Sequence, residues 1–390
     1  MAVYLDHAAS SPMRPEALAV FIEQLAAVGN PSSVHRFGQS VRRALEEARE
    51  SLAKSVDCNR NEIVFTAGGT ESDNLAIKGL FWQRKSEDSR RTVIISAATE
   101  HHAVIDPIEW LAKEQGAEMV WVPVDERGVV DLHWLADFVA ARGEEVALIT
   151  LMWANNETGV ITDIPAVVEI AKTKGIPVHS DAVAAVGHMP ISFASSGLTA
   201  LTFTAHKVGG PVGVGALVVA RSAKLTPSMH GGNQERGMRS GTMNAAGAVA
   251  FAKATEVAVA DLEAHAQAAT KLRDRVIEGV LAVAPEARFS RGDALGLPDN
   301  VHFTFPGCSG DSLLFLLDVA GVSVSTGSAC TAGVSSASHV LLAMGRSEKE
   351  ATGCLRVSLG YTNTDACVDE FLAALPNAYE GAKKAGLPSK

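Results

Sequence analysis

Two short runs decide the fold: Pro177-Val178-His179-Ser180-Asp181-Ala182 and Thr202-Phe203-Thr204-Ala205-His206-Lys207. Each opens on apolar or β-branched residues and closes on polar ones, the pattern of a buried parallel strand that delivers its functional groups at its carboxyl end. Asp181 and Lys207 are therefore expected at one edge of one sheet. A carboxylate and an amine so placed suit pyridoxal phosphate. The amine forms a Schiff base with the aldehyde, and the carboxylate keeps the pyridine nitrogen protonated. On these two residues alone, an Asp in a turn and a Lys in solvent is an equally open reading.

Further strand ends repeat the pattern. Glu62-Ile63-Val64-Phe65-Thr66 reads as a buried strand running into Ala67-Gly68-Gly69-Thr70-Glu71-Ser72, ahead of a helical run from Asn74. Glycines that free backbone N–H groups, a helix N-terminus and the Thr70 hydroxyl together make a phosphate site, although any strand-to-helix turn favours glycine. Val93-Ile94-Ile95-Ser96 leads to Thr99-Glu100-His101-His102, where adjacent histidines cannot share a face and at most one is expected to meet a ligand. Val146 to Trp153 delivers Ala154-Asn155-Asn156-Glu157. Four or five such βα units place polar groups along one sheet edge, where open α/β sheets bind ligands.

Composition bounds the function. A chain of 390 residues with 47% hydrophobic and 20% charged residues has room for two domains and a large core. Its net charge of −10, with no long basic run, argues against nucleic acid as a partner. No apolar run is long enough to span a bilayer, and the start Met1-Ala2-Val3-Tyr4 lacks a basic-then-apolar leader, so no membrane association and a cytoplasmic location are expected. The five cysteines, Cys58, Cys308, Cys330, Cys354 and Cys367, show no C-x-x-C pairing. Neither a disulfide framework nor a metal site is expected from them.

The second half changes character. After Lys207, Val208 to Gly215 is a glycine-rich turn into an apolar strand, read as an antiparallel neighbour. The polar stretch Met229 to Thr242 is too long for a tight turn, and loops of that length are usually functional. A broken helical region, about Ala245 to Val283, carries the chain out of the large domain near residue 258. We expect residues 15–257 to form an α/β domain with a mostly parallel, seven-stranded type of sheet flanked by helices. Residues 1–14 and 258–390 would form a smaller α+β domain. Within it, Thr326 to Ser338 has almost nothing to bury and carries Cys330 at its middle, so it reads as a mobile loop. Arg356, in the strand Cys354 to Gly360, can fork onto a carboxylate.

Taken together, these stretches resemble the cysteine desulfurases, in the class V branch of fold-type I pyridoxal-phosphate enzymes. The resemblance runs through Leu5-Asp6-His7-Ala8-Ala9, Asn30-Pro31-Ser32-Ser33, Thr70-Glu71-Ser72-Asp73-Asn74, Thr99-Glu100-His101, Asn155-Asn156-Glu157, His206-Lys207, Glu235 to Thr242 and Ser325-Thr326-Gly327-Ser328-Ala329-Cys330. The last of these is similar to the group with a long, flexible cysteine loop. The resemblance implies Lys207 as the Schiff-base lysine, Asp181 as the pyridinium partner and His101 as a ring-stacking proton carrier. Asn156 would contact the cofactor; Gly69, Thr70, Thr204, His206 and, from the second subunit of a homodimer, Thr242 would hold its phosphate. Arg356, Asn30 and Asn155 would bind the substrate carboxylate. Cys330 would become a persulfide that passes sulfur from L-cysteine to a protein acceptor such as an iron–sulfur scaffold.

The loop suits that last task. Five or six extended residues on either side of Cys330 reach roughly 15–20 Å, at about 3.3 Å each. Two positions depart from the resemblance. Ala184 stands where relatives carry a glutamine that bonds the cofactor's phenolic oxygen, and Asn233 stands where glycine is common. The alternatives are a selenocysteine lyase, or another class V lyase that needs no cysteine nucleophile, and an inactive partner that regulates an active relative.

Overall fold

The computed structural model describes residues 2–327 and 337–386. Among them are twelve strands: β1 (Val3–Tyr4), β2 (Ile63–Thr66), β3 (Val93–Ala97), β4 (Glu118–Val122), β5 (Val146–Thr150), β6 (Val178–Asp181), β7 (Ala200–Thr204), β8 (Gly215–Val219), β9 (Arg288–Phe289), β10 (Asn300–Thr304), β11 (Val322–Ser323) and β12 (Cys354–Ser358). Seven of these form one sheet in the order β2-β8-β7-β6-β5-β3-β4. Only β8 runs against its neighbours, as its glycine-rich approach led us to expect.

Helices cover both faces of this sheet, which is why its inner strands read as unbroken apolar runs. Every residue of β2, β3, β5, β6 and β7 is buried. The first four helices of the chain are α1 (Pro15–Leu25), α2 (Arg36–Ser55), α3 (Gly69–Glu87) and α4 (His102–Gln115). Helix α3 begins at Gly69, not at Asn74. Gly68, its N-cap, sits at φ +156°, a conformation that glycine alone adopts freely, so the turn closes early and Thr70 falls in the first helical turn.

A second core lies apart from the first. Strands β12-β10-β9 form an antiparallel sheet, and β1 pairs in parallel with β11. Val3 and Leu5 pack there with Phe303, Phe305, Leu317 and Phe371. The start of the chain is thus built into the C-terminal core. Between the cores run the helices Ala245–Ala260 and Leu262–Val283, broken at Asp261. We propose that these cores are two domains, 15–257 and 1–14 with 258–390. No helix among the described residues is long and apolar enough to cross a membrane.

The long polar stretch after Met229 is pinned rather than loose. Glu235 is buried and accepts from both Arg49 guanidinium nitrogens, at 2.7 and 2.6 Å, and from the Phe65 N–H at 2.8 Å. Arg239 donates to Glu71 of α3 at 2.7 Å. Asn233 has φ +56°, which explains why glycine suits this position and why asparagine, the side chain most tolerant of that region, replaces it.

Candidate active site

A cavity of about 350 Å³ opens at the carboxyl ends of β5, β6 and β7, between the two cores. The large sheet contributes Asp181, Thr204, His206 and Lys207, and the second core contributes Arg356 and Ser325. Its edge position follows from the parallel sheet, whose strand ends leave a crevice where the flanking turns diverge.

Lys207 lies in a single turn of 3₁₀ helix directly after β7. Its Nζ donates to the Ala9 carbonyl at 3.0 Å and to the Ala8 carbonyl. Burial and the Arg356 charge lower its pKa from 10.5 to about 8, against the opposing pull of Asp181 and Asp6. Asp181 closes β6, and its Oδ1 accepts from the Val183 N–H at 2.8 Å. Burial raises it to about 6, while that hydrogen bond and Lys207 act the other way. Burial and Lys207 lower both His101 and His206 to about 4, so both imidazoles are neutral at pH 7.

One end of the cavity is an anion cradle. Gly69 and Thr70 open α3, where unpaired backbone N–H groups and the helix dipole favour negative charge. A Cβ at Gly69 would sit 2.9 Å from the Val183 side chain, so only glycine lets the helix start come this close. Thr204 and His206 face the same space, with Thr204 Oγ1 and His206 Nδ1 3.3 Å apart.

At the opposite wall, the Arg356 side chain is 4% exposed. It donates to the Asn156 carbonyl at 2.8 Å and to Asp6 at 2.6 Å, and its Nε has no partner. The fork onto a carboxylate expected for Arg356 is thus partly filled by the chain's own Asp6.

Several expectations are revised. His101 and His102 both line the cavity, because they occupy the N-cap and first turn of α4, where neighbours diverge by about 100° rather than pointing to opposite faces. Asn30 is exposed in the turn between α1 and α2, where its Oδ1 accepts from the Ser32 N–H, and it is not brought to the cavity. Asn155 is buried, with its amide committed to other parts of the protein: it accepts from the Glu157 and Thr158 N–H groups of its own turn and donates to the Thr99 carbonyl at 2.9 Å. Thr242 is exposed and outside the cavity of its own chain. Cys330, and with it most of the expected mobile loop, lies outside the described residues; Gly327 and His339 on either side of that stretch line the cavity.

Other residues were not singled out from sequence. Asp6 belongs to the Leu5–Ala9 stretch, but nothing there signals its pairing with Arg356. Asp73 reaches the cavity floor from α3. His339 bonds the Glu100 carbonyl at 2.8 Å and sits 4.9 Å from the His102 ring.

The sequence matches the family model described as aminotransferase class-V over residues 3–371. The chain belongs to the class-V aminotransferase family. Among its relatives in that family, an IscS-like cysteine desulfurase of Mycobacterium tuberculosis (strain ATCC 25618 / H37Rv) is 47% identical over 98% of both chains. The cysteine desulfurase IscS of Methanosarcina thermophila is 40% identical over 96% of this chain and 91% of that one. Among solved structures, a NifS-like protein superposes with a TM-score of 0.90 at 35% identity, covering 97% of this chain and all of the other. A structure described as SspA in complex with cysteine gives 0.79 at 30% identity, over 92% and 98%.

Class-V aminotransferases use pyridoxal phosphate, and the residues present fit it. The fit rests on a buried amine of lowered pKa, a buried carboxylate at the end of the neighbouring strand, and the glycine-backed helix start with Thr204 and His206 beside it.

Proposed function

We propose that the protein is a pyridoxal phosphate-dependent L-cysteine desulfurase that leaves a persulfide on Cys330. The observation that carries this reading is the buried Lys207 amine in the same cavity as Asp181 and Arg356. The identities to cysteine desulfurases support the substrate.

In this reading Lys207 and Asp181 hold the cofactor at its two ends of reactivity, and His101 and Asn156 contact it. Gly69, Thr70, Thr204 and His206 hold its phosphate, joined by Thr242 from a second copy of the chain. When bound, the cofactor supplies an aldehyde that takes up the substrate amine and a ring that stores the electrons of the broken C–H bond. Arg356 binds the substrate carboxylate by exchange with Asp6. Lys207 Nζ, once released, removes the substrate α-proton, for which a pKa near 8 is well matched. His101, neutral at pH 7, moves a proton to and from substrate atoms on the other side of the cavity.

The Cys330 thiolate then attacks the substrate sulfur. The new S–S bond forms as the substrate Cβ–S bond breaks; the thiol is oxidised to a persulfide and the carbon skeleton is reduced to alanine. Cysteine and enzyme thiol together give alanine and enzyme persulfide, so atoms and electrons balance without an added oxidant.

Further parts belong to the same reading. A homodimer is supported by the exposed apolar residues Leu18, Ile22, Leu25, Val28, Val34 and Phe37 on and after α1. A protein acceptor such as an iron–sulfur scaffold would take the sulfur. A cytoplasmic location accords with Cys58, Cys308, Cys354 and Cys367 all being free thiols.

Borohydride reduction of the cofactor-loaded protein, followed by peptide mass analysis, tests the core of the proposal. A pyridoxyl group on Lys207 is expected; a group on another lysine, or none, would overturn it.

A further inference from the structure

Three segments distant in sequence, the turn after β6, the helix Leu262–Val283 and the approach to β10, each bring one polar side chain to a single buried point. His188 Nδ1 is hydrogen-bonded to Asp299 Oδ2, and His265 Nε2 lies 3.3 Å from the same oxygen. The three donor atoms all fall within 4.8 Å of one another. Their side chains are 16%, 13% and 5% exposed for His188, His265 and Asp299, and the two rings meet edge to face with centroids 6.1 Å apart. None of the three has a part in the proposed reaction.

Two imidazoles and a carboxylate are a donor set for zinc and its neighbours in the first transition row. With metal–ligand bonds of about 2.0–2.1 Å, ligands in a tetrahedral shell stand about 3.3 Å apart. His265 and Asp299 already hold that separation. Asp299 is also ionised, as a ligand must be: burial pushes its carboxyl up, but the His188 charge and the bonds from both histidines hold it below the usual carboxylate range. The neighbouring groups leave the set as it is. His7 is engaged on both ring nitrogens, with Ser11 at 3.1 Å and Thr362 at 3.2 Å, and the Arg14 charge is met by Asp261 at 3.6 Å.

An independent observation marks a fourth position. The cavity of about 20 Å³ behind Lys207 is lined by His188 and Asp299 and also by Asn300, which is 3% exposed and whose Oδ1 has no hydrogen-bond partner. A cavity of that volume holds one water. A metal-bound water placed there completes the shell and donates to Asn300 Oδ1, an acceptor whose burial is otherwise uncompensated.

We propose that His188, His265 and Asp299 form a binding site for one divalent transition-metal ion of the zinc class, with a water held by Asn300 as the fourth ligand. His188 follows the large sheet's β6 and Asp299 leads into β10 of the second core, so the ion clamps the two cores together. On binding, the metal takes the place of the proton between His188 and Asp299, and that proton leaves to solvent. The inference does not depend on the proposed reaction.

The test uses cofactor-loaded protein carrying Cys330→Ala, which removes the proposed reactive thiol as a competing ligand. This parent and the same protein with His265→Gln added are dialysed against a chelator, exchanged into chelator-free buffer and titrated with zinc chloride by calorimetry. Tm and the cofactor absorbance check that both are folded. The expected result is one zinc ion per chain in the parent and an affinity lower by about tenfold or more in the His265→Gln protein, as the loss of one ligand requires. Equal affinity in the two proteins places the ion elsewhere and overturns the proposal, and so does the absence of saturable binding in the parent.

Should the His265→Gln protein not fold, anomalous diffraction at the zinc edge from zinc-loaded crystals of the parent decides. A peak between His188, His265 and Asp299 supports the inference; peaks only at other positions, or none, overturn it.

Discussion

Arg356 and Asp6 form an ion pair at 2.6 Å that joins the last strand of the second core to the first residues of the chain at the cavity wall. The guanidinium is nearly buried, while Asp6 keeps 19% of its side chain exposed. A substrate carboxylate entering the cavity therefore meets a cation that is already partly neutralised, and Asp6 is the group that can swing away.

Arg356→Gln removes the cation and keeps a polar side chain. Hydrogen bonds to charged groups contribute about 1.5–3 kcal/mol, so KM for L-cysteine should rise roughly 10- to 100-fold. Cofactor affinity should stay close to wild type, because the anion cradle lies at the other end. Steady-state kinetics beside a cofactor titration check both halves; an unchanged KM would contradict the carboxylate role.

Lys207 makes apoprotein stability depend on pH. Burial takes its pKa from 10.5 to about 8 in the folded chain. Between these values the unfolded chain binds the extra proton, so stability rises with pH through this window, and below pH 8 the cost is present in full. Lys207→Met, which keeps the volume and drops the charge, should stabilise the apoprotein at pH 7 by about 2–3 kcal/mol. The gain should shrink as the pH approaches 10, as denaturant unfolding at several pH values would show.

The Arg49–Glu235 pair is the brace of the long polar stretch. Both side chains are at most 4% exposed, so removing one partner strands a buried charge. Glu235→Leu alone should cost about 3–5 kcal/mol, and adding Arg49→Met should recover most of it. A double-mutant cycle in denaturant checks the recovery.

Ala184 lines the main cavity and also a second cavity of about 20 Å³, the size of a single water, behind Lys207. Ala184→Gln places an amide donor at this junction. We expect it to shift the pH at which the bound cofactor's absorbance changes; an unaltered titration would show that no group on the cofactor meets this position.

Much of this was legible because parallel sheets write themselves plainly. Strands β5, β6 and β7 are covered on both faces, so each appears as a short buried run ending in polar residues, and Asp181 and Lys207 followed from that pattern. Strand β4 did not appear, because at the sheet edge its Glu118 and Met119 are exposed and the run looks like a helix end. Contacts that close over long stretches of chain carried no local signal: Asp6 meets Arg356 across 350 residues. Asn155 was read as a substrate ligand, yet its amide is bonded to its own turn and to the distant Thr99 carbonyl.

The most direct test of the central claim is alanine formation from L-cysteine in the presence of a reductant, comparing the cofactor-loaded wild type with Cys330→Ala. The account predicts alanine from the wild type and its loss in the variant. Equal alanine from both would contradict the persulfide role of Cys330 and favour a lyase, and none from either would contradict the desulfurase reading altogether.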